Sequence, residues 1–195
     1  MTRIVHKFTR RVPEWRPRLM PVKLEEATPE QLDALKVTPS STKVSDYVLT
    51  LAHDVESLSI RSPLFNAIMY DRGGMSREER ELGALAASMV NRCIYCAAVH
   101  ADRHARLAKD EAVTDELFAN GEKAQLSPRN QAIFDFARKS AEAPPSADVQ
   151  DIDRLSKAGL SDEEIFDLIL SSALFGWANR LMHVLGDPVS RKEAA

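Results

Sequence analysis

The sequence predicts an all-α fold. Three observations carry that prediction. From residue 44 onward the apolar residues recur with the helical period, as in Val44, Tyr47, Val48, Leu51 and Ala52. Two serines, Ser76 and Ser161, each stand three residues before a glutamate, Glu79 and Glu164, which is the capping-box spacing at a helix start. No segment alternates with the two-residue period of a half-buried strand, so no strand is expected.

The elements follow in chain order. Residues 1–43 stand apart, with five of the ten prolines: Pro13, Pro17, Pro21, Pro29 and Pro39. Residues 1–18 add six Lys/Arg and one Glu. Proline and charge oppose a compact element, so this part is expected to be an extended arm with one helical turn near 29–36. Two forms of the arm remain open: a disordered tail, or an arm packed on its own core or a neighbour's and anchored by Trp15. A first helix starts at Val44. Pro63 is expected to open a second, through Leu64, Ala67, Ile68 and Met69, ending at Asp71-Arg72-Gly73-Gly74.

Ser76 opens a third helix, whose apolar face is Leu82, Leu85, Ala86, Met89 and Val90. A fourth carries Cys93 to Ala108, and a short fifth runs around Val113, Leu117 and Phe118 to Gly121. Ser127-Pro128 starts a helix that reaches about Ala141, before Pro144-Pro145. Another spans 147–157 and stops at Gly159. Ser161 opens the last helix. Its apolar residues, from Ile165 to Leu185, cover most of its circumference, so it should be central or shared with another subunit. Gly186 and Pro188 close it. The expected organisation is an arm at 1–43, a helical domain at 44–188 and a tail at 189–195.

The chain has 195 residues, of which 44% are hydrophobic, enough for one domain with a real core. A formal net charge of -3 advertises neither nucleic acid nor an anionic membrane as a partner. No segment is expected to approach the roughly 20 apolar residues of a membrane span. Two cysteines, three apart, make no disulfide scaffold. They point to redox chemistry or half a metal site in a cytoplasmic protein with reduced thiols.

The chemistry concentrates in Glu81-LGALAASMVNR-Cys93-IY-Cys96-AAV-His100-ADR-His104. At 3.6 residues per turn, Cys93, Cys96, His100 and His104 fall at about 0°, 300°, 340° and 20° around one helix, a single face. A four-ligand zinc site on that face is excluded by reach. Cys93 and His104 are about 16 Å apart along the axis, whereas zinc ligands bind at roughly 2.0–2.3 Å. Cys96 and His100, one turn apart, can meet, either as a thiolate–imidazole pair or as half a metal site completed from elsewhere.

A reactive cysteine must be a thiolate. Asn91 is a candidate N-cap that would set both cysteines in the first turn and a half, at the positive end of the helix dipole. His100 can take or share the Cys96 proton. If the chain folds back at Asn91-Arg92, Glu81 and His100 reach the same level of a helical hairpin, and the carboxylate can orient the imidazole directly or through one water. Ala84, Ala86 and Ala87 against Ala97, Ala98 and Ala101 would let the two helices approach closely.

Glu81, eleven intervening residues, Cys93-Ile94-Tyr95-Cys96 and then His100 resemble the signature of AhpD-like alkylhydroperoxidases, in the carboxymuconolactone decarboxylase superfamily. The likeness is greatest to the peroxidase-related branch, covers roughly residues 44–188, and includes Trp177-Ala178-Asn179-Arg180-Leu181. The resemblance implies an AhpD-like helical bundle with the CxxC at the N-terminal end of a helix. It implies assembly into trimers or hexamers, a dimer being the smaller option. It also implies reduction of alkyl or hydrogen peroxide, in antioxidant defence, by a cysteine pair with a Glu81–water–His100 proton relay. By that likeness Cys96 attacks the peroxide, Cys93 resolves the sulfenic acid to a disulfide, and a lipoyl-type dithiol or another thiol restores the pair. No metal, haem or other cofactor is implied. Tyr95 stands where the best-studied pattern has a second histidine, so the relay is shorter here. A non-catalytic redox-sensing or structural CxxC module, and a lactone decarboxylase or isomerase using Glu81 and His100, are the alternatives.

Overall fold

The computed structural model describes residues 3–36 and 44–190. Pro39, the junction at residue 43 and the last five residues lie outside them. The fold is helical: α1 (Pro29–Leu35), α2 (Asp46–Leu51), α3 (Val55–Tyr70), α4 (Arg77–Val90), α5 (Ile94–Ala108), α6 (Ala112–Asn120), α7 (Pro128–Ala141), α8 (Val149–Lys157) and α9 (Asp162–Leu185).

The centre is α4, buried from Glu79 to Ser88 and packed against α5, α7 and α9. Small residues make this possible. The six alanines expected at the α4–α5 contact, Ala84, Ala86, Ala87, Ala97, Ala98 and Ala101, are all fully buried. At Gly83 a Cβ would stand only 2.7 Å from Leu168 Cδ1, so α9 crosses α4 where there is no side chain. Leu82, Leu85, Ile133, Phe134 and Leu168 fill the main core. Both predicted capping boxes form, at Ser76–Glu79 and Ser161–Glu164.

Three expectations are corrected. The helix expected to open at Pro63 begins instead at Val55, where the Asp54 carboxylate accepts from Ser57 N at 3.0 Å. Pro63 sits inside it on the exposed side, where the carbonyl it leaves without a donor can be hydrated. Second, two short strands exist, β1 (Glu14–Pro17) and β2 (Gly186–Val189), paired antiparallel with Trp15 opposite Pro188. At four residues each they are too short for a periodic signal, and their partners lie at opposite ends of the chain. Third, α9 is long and apolar enough to cross a membrane by length and composition, because small residues such as Ser171 and Gly176 do not break its apolar run. Half of that window is buried inside the fold.

Over the described residues the arm is packed on its own core. Trp15 meets the ring of Tyr47 edge to face at 5.6 Å. Arg18 caps the end of α9, donating to the carbonyls of His183 (2.6 Å) and Val184 (3.0 Å) and pairing with Asp187. Gly186 is required there, because a Cβ would overlap the Trp15 ring and stand 2.7 Å from Arg16 O.

Candidate active site

The α4–α5 hairpin builds the site. The chain reverses through Asn91 and Arg92, and Arg92 takes the left-handed conformation at φ 53°. Cys93 N then closes the turn on Ser88 O at 2.9 Å. The expected N-cap at Asn91 is thereby corrected. Asn91 ends α4, and Cys93 itself occupies the N-cap position of α5, with Cys96 one turn in. The carbonyl of residue 87 holds both the N–H and the side-chain amide of Asn91, which commits it to α4.

Glu81 and His100 meet directly. The Nδ1–H of His100 donates to Glu81 Oε2, and both side chains are buried. The other carboxylate oxygen, Oε1, accepts from Arg77 and faces Arg103 Nη1 at 3.8 Å. Burial opposes the Glu81 charge, but His100, Arg77 and Arg103 outweigh it and hold the carboxyl below its ordinary pKa. Burial pushes the imidazole of His100 down further than Glu81 pulls it up, and the two arginines add to the fall. His100 is thus a neutral ring with Nδ1 protonated and Nε2 left as the basic nitrogen. Phe175 closes one side of the ring, edge on at 4.1 Å.

Both thiols are free and buried. Cys93 is pushed down, because the Cys96 thiol hydrogen-bonds to it, and because the N–H groups of Cys96 and Tyr95 and the Asn179 side chain favour its charge over the cost of burial. Cys96 is pushed well up, as the partner that donates to Cys93 and as a fully buried thiol. Backbone N–H groups at the helix start lower both thiols, as the sequence suggested, but for Cys96 its bond to Cys93 and its burial outweigh them.

The two sulfurs open on different spaces. Cys96 and His100 line one cavity of about 280 Å³, walled by α2, α3, α5 and α9. Cys93 lines a second, of about 220 Å³, whose wall includes Ile4, Val5, His6 and Trp15 of the arm. His104, on the same helix face by spacing, does not join the site. Its Nδ1–H donates to Glu78 O at 2.9 Å, a turn beyond the hairpin's functional level. Among the described residues no group of three or more His, Cys, Asp or Glu is arranged to hold a metal ion.

Sequence reasoning missed Arg77, Phe175 and the role of Asn179. Asn179 is fully buried, donates to Ser88 Oγ at 3.2 Å and accepts from Asn91 Nδ2 at 3.3 Å. The signals in the sequence were the Trp177–Leu181 resemblance and an amide within a largely apolar helix.

The sequence profile of the Carboxymuconolactone decarboxylase family matches residues 56–139. No curated protein matches the chain significantly. Among solved structures, the alkylhydroperoxidase AhpD core of an uncharacterized peroxidase-related protein from Ralstonia eutropha JMP134 is 29% identical. It covers 87% of this chain and 90% of its own, with a TM-score of 0.75. An uncharacterized peroxidase-related protein from Silicibacter sp. TM1040 is 24% identical over 87% of this chain and 91% of its own, TM-score 0.71. The debrominase Bmp8, 17% identical, covers 86% of this chain and 89% of its own at a TM-score of 0.72, and has also been seen in complex with 2,3,4-tribromopyrrole. The last two likenesses concern the fold alone.

Proposed function

We propose that the chain, whose residues 56–139 match the carboxymuconolactone decarboxylase family and whose fold is similar to an AhpD core, is a thiol-dependent peroxidase of the AhpD-like, peroxidase-related branch, acting through Cys96, Cys93, His100 and Glu81. One observation carries the proposal: the buried thiol Cys96 shares a cavity with an imidazole that a buried carboxylate orients.

The arrangement suits the following sequence. His100 Nε2 takes the Cys96 proton, and the Cys96 thiolate attacks the peroxide oxygen. The O–O bond breaks, and the leaving alkoxide or hydroxide takes the proton from His100. Cys96 is then a sulfenic acid. The Cys93 thiolate attacks its sulfur, forms the disulfide and releases hydroxide, which leaves as water after protonation. An external dithiol of lipoyl type, or another thiol, returns the disulfide to two thiols by exchange. Two free thiols suit a reducing, cytoplasmic compartment and an antioxidant role.

Sulfenic-acid trapping tests the assignment. With peroxide, Cys93→Ser should accumulate a trappable sulfenic acid at Cys96, and Cys96→Ser should not. Trapping in Cys96→Ser alone would reverse the roles. No oxidation of either thiol by any hydroperoxide would leave a non-catalytic CxxC module.

Self-assembly belongs to the same proposal. Phe166, Trp177 and Val184 of α9 and Ile60 and Leu64 of α3 are exposed apolar residues on two packed helices, where a second copy would cover them. A trimer or hexamer is expected by light scattering at micromolar concentration. A monomer would refute it.

A further inference from the structure

The cavity beside Cys96 has a feature that thiol chemistry does not need. In a chain of formal net charge -3, its wall holds two guanidinium groups, Arg61 and Arg103, and no carboxylate side chain. Arg103 is partly accounted for, by Glu81 at 3.8 Å and the Tyr70 hydroxyl at 3.4 Å. Arg61 is not. It lies over the Phe65 ring at 3.8 Å and forms no ion pair with any described residue. Its buried Nε has no hydrogen-bond partner among them. Burial pushes its pKa down, the mark of a cation kept partly from water without a counter-charge.

Tyr47, in the same wall, also presents a buried hydroxyl with no partner among the described residues. Burial pushes its pKa up, so it stays a protonated donor. Between these groups and Cys96 the wall is apolar, with Phe65, Met69, Val99 and Met182. At about 280 Å³ the space is near the lower edge of small-molecule sites, which run from roughly 300 to 1,000 Å³. Hydrogen peroxide needs far less.

A desolvated cation is costly unless something pairs with it, and no described residue supplies the partner. We propose that the cavity selects organic hydroperoxides that carry a carboxylate on an apolar chain. Arg61 and Arg103 receive the carboxylate, the apolar wall receives the chain, and the hydroperoxide reaches Cys96 and His100. The proposal rests on the peroxidase reading, which supplies the reaction, and adds the substrate class.

The test compares linoleate hydroperoxide with its methyl ester. The acid-to-ester ratio of kcat/KM should be tenfold or more in the wild type. It should fall about tenfold in Arg61→Leu and recover in part in Arg61→Lys. A wild-type ratio near one, or a ratio unmoved in Arg61→Leu, overturns the proposal. Calorimetric binding of dodecanoate to Cys96→Ser needs no turnover. Saturable binding that Arg61→Leu loses, while keeping its melting temperature within a few degrees, supports the anion site even if no peroxide is reduced, and that second result would sink the peroxidase reading instead. Absence of dodecanoate binding to the Cys96→Ser protein overturns the proposal.

Discussion

Replacing Glu81 by Gln keeps the side chain's shape and removes its charge. The carboxylate has two tasks. It fixes the His100 tautomer through Nδ1, and it raises the basicity of a ring that burial and two arginines depress. With Gln in place the imidazole pKa falls further, and the amide can present its NH₂ to Nδ1 and invert the tautomer. General-base assistance contributes about 10²–10⁴-fold. Oxidation of reduced enzyme by a hydroperoxide, followed in a single turnover by stopped flow at pH 7, should therefore slow by about 10²-fold.

The acid limb of the pH–rate profile should move to lower pH, because the weaker base is protonated later. His100→Gln should lose a similar amount, and the double variant little more, since groups acting as one unit are not additive. Independent, multiplying losses, or an acid limb that moves to higher pH, would refute the coupled base. Glu81→Ala is the less informative variant, because it strands the Arg77 guanidinium and the buried imidazole. Breaking such a buried pair costs about 3–5 kcal/mol of stability.

Stability should fall as the solution is acidified, in two stages. The folded-state pKa of His100 lies below its ordinary value of about 6.5, so its contribution is complete above that value and is lost as pH falls through the folded pKa. Glu81 is also depressed, so a second loss begins below its ordinary value of about 4.3. Urea melts from pH 7.5 to 4 check this, and a midpoint that rises on acidification from 7 to 5 would contradict it. Gly186→Ala should push Trp15 off its seat, at about 1–3 kcal/mol. Tryptic cleavage after Arg18 should speed up, and so should alkylation of Cys93, whose cavity the arm walls. Unchanged cleavage and alkylation rates would show that the arm does not depend on this contact.

Local chemistry was enough to make much of the fold legible. The serine–glutamate caps at Ser76 and Ser161, the proline after Ser127 and the helical period act within one or two turns, so their outcome does not depend on distant parts of the chain. The Glu81–His100 contact was legible for a similar reason. Once a turn is granted at Asn91, helical rise alone brings the two residues level. What tertiary structure decided were contacts between segments far apart in sequence, or between groups competing for one partner. The arm's strand depends on a glycine 171 residues after Trp15, clear of its ring. The opposite shifts of the two thiols follow from the Cys96–Cys93 hydrogen bond and the burial of Cys96, once Asn91 commits to α4 and leaves Cys93 at the helix start. Arg61 became notable only when α3 and α5 came to wall one cavity and no carboxylate side chain came with them. Spacing along one helix determines which residues share a face, but burial and charge belong to the assembled neighbours, and those push the two thiols in opposite directions and set the charge of the cavity wall.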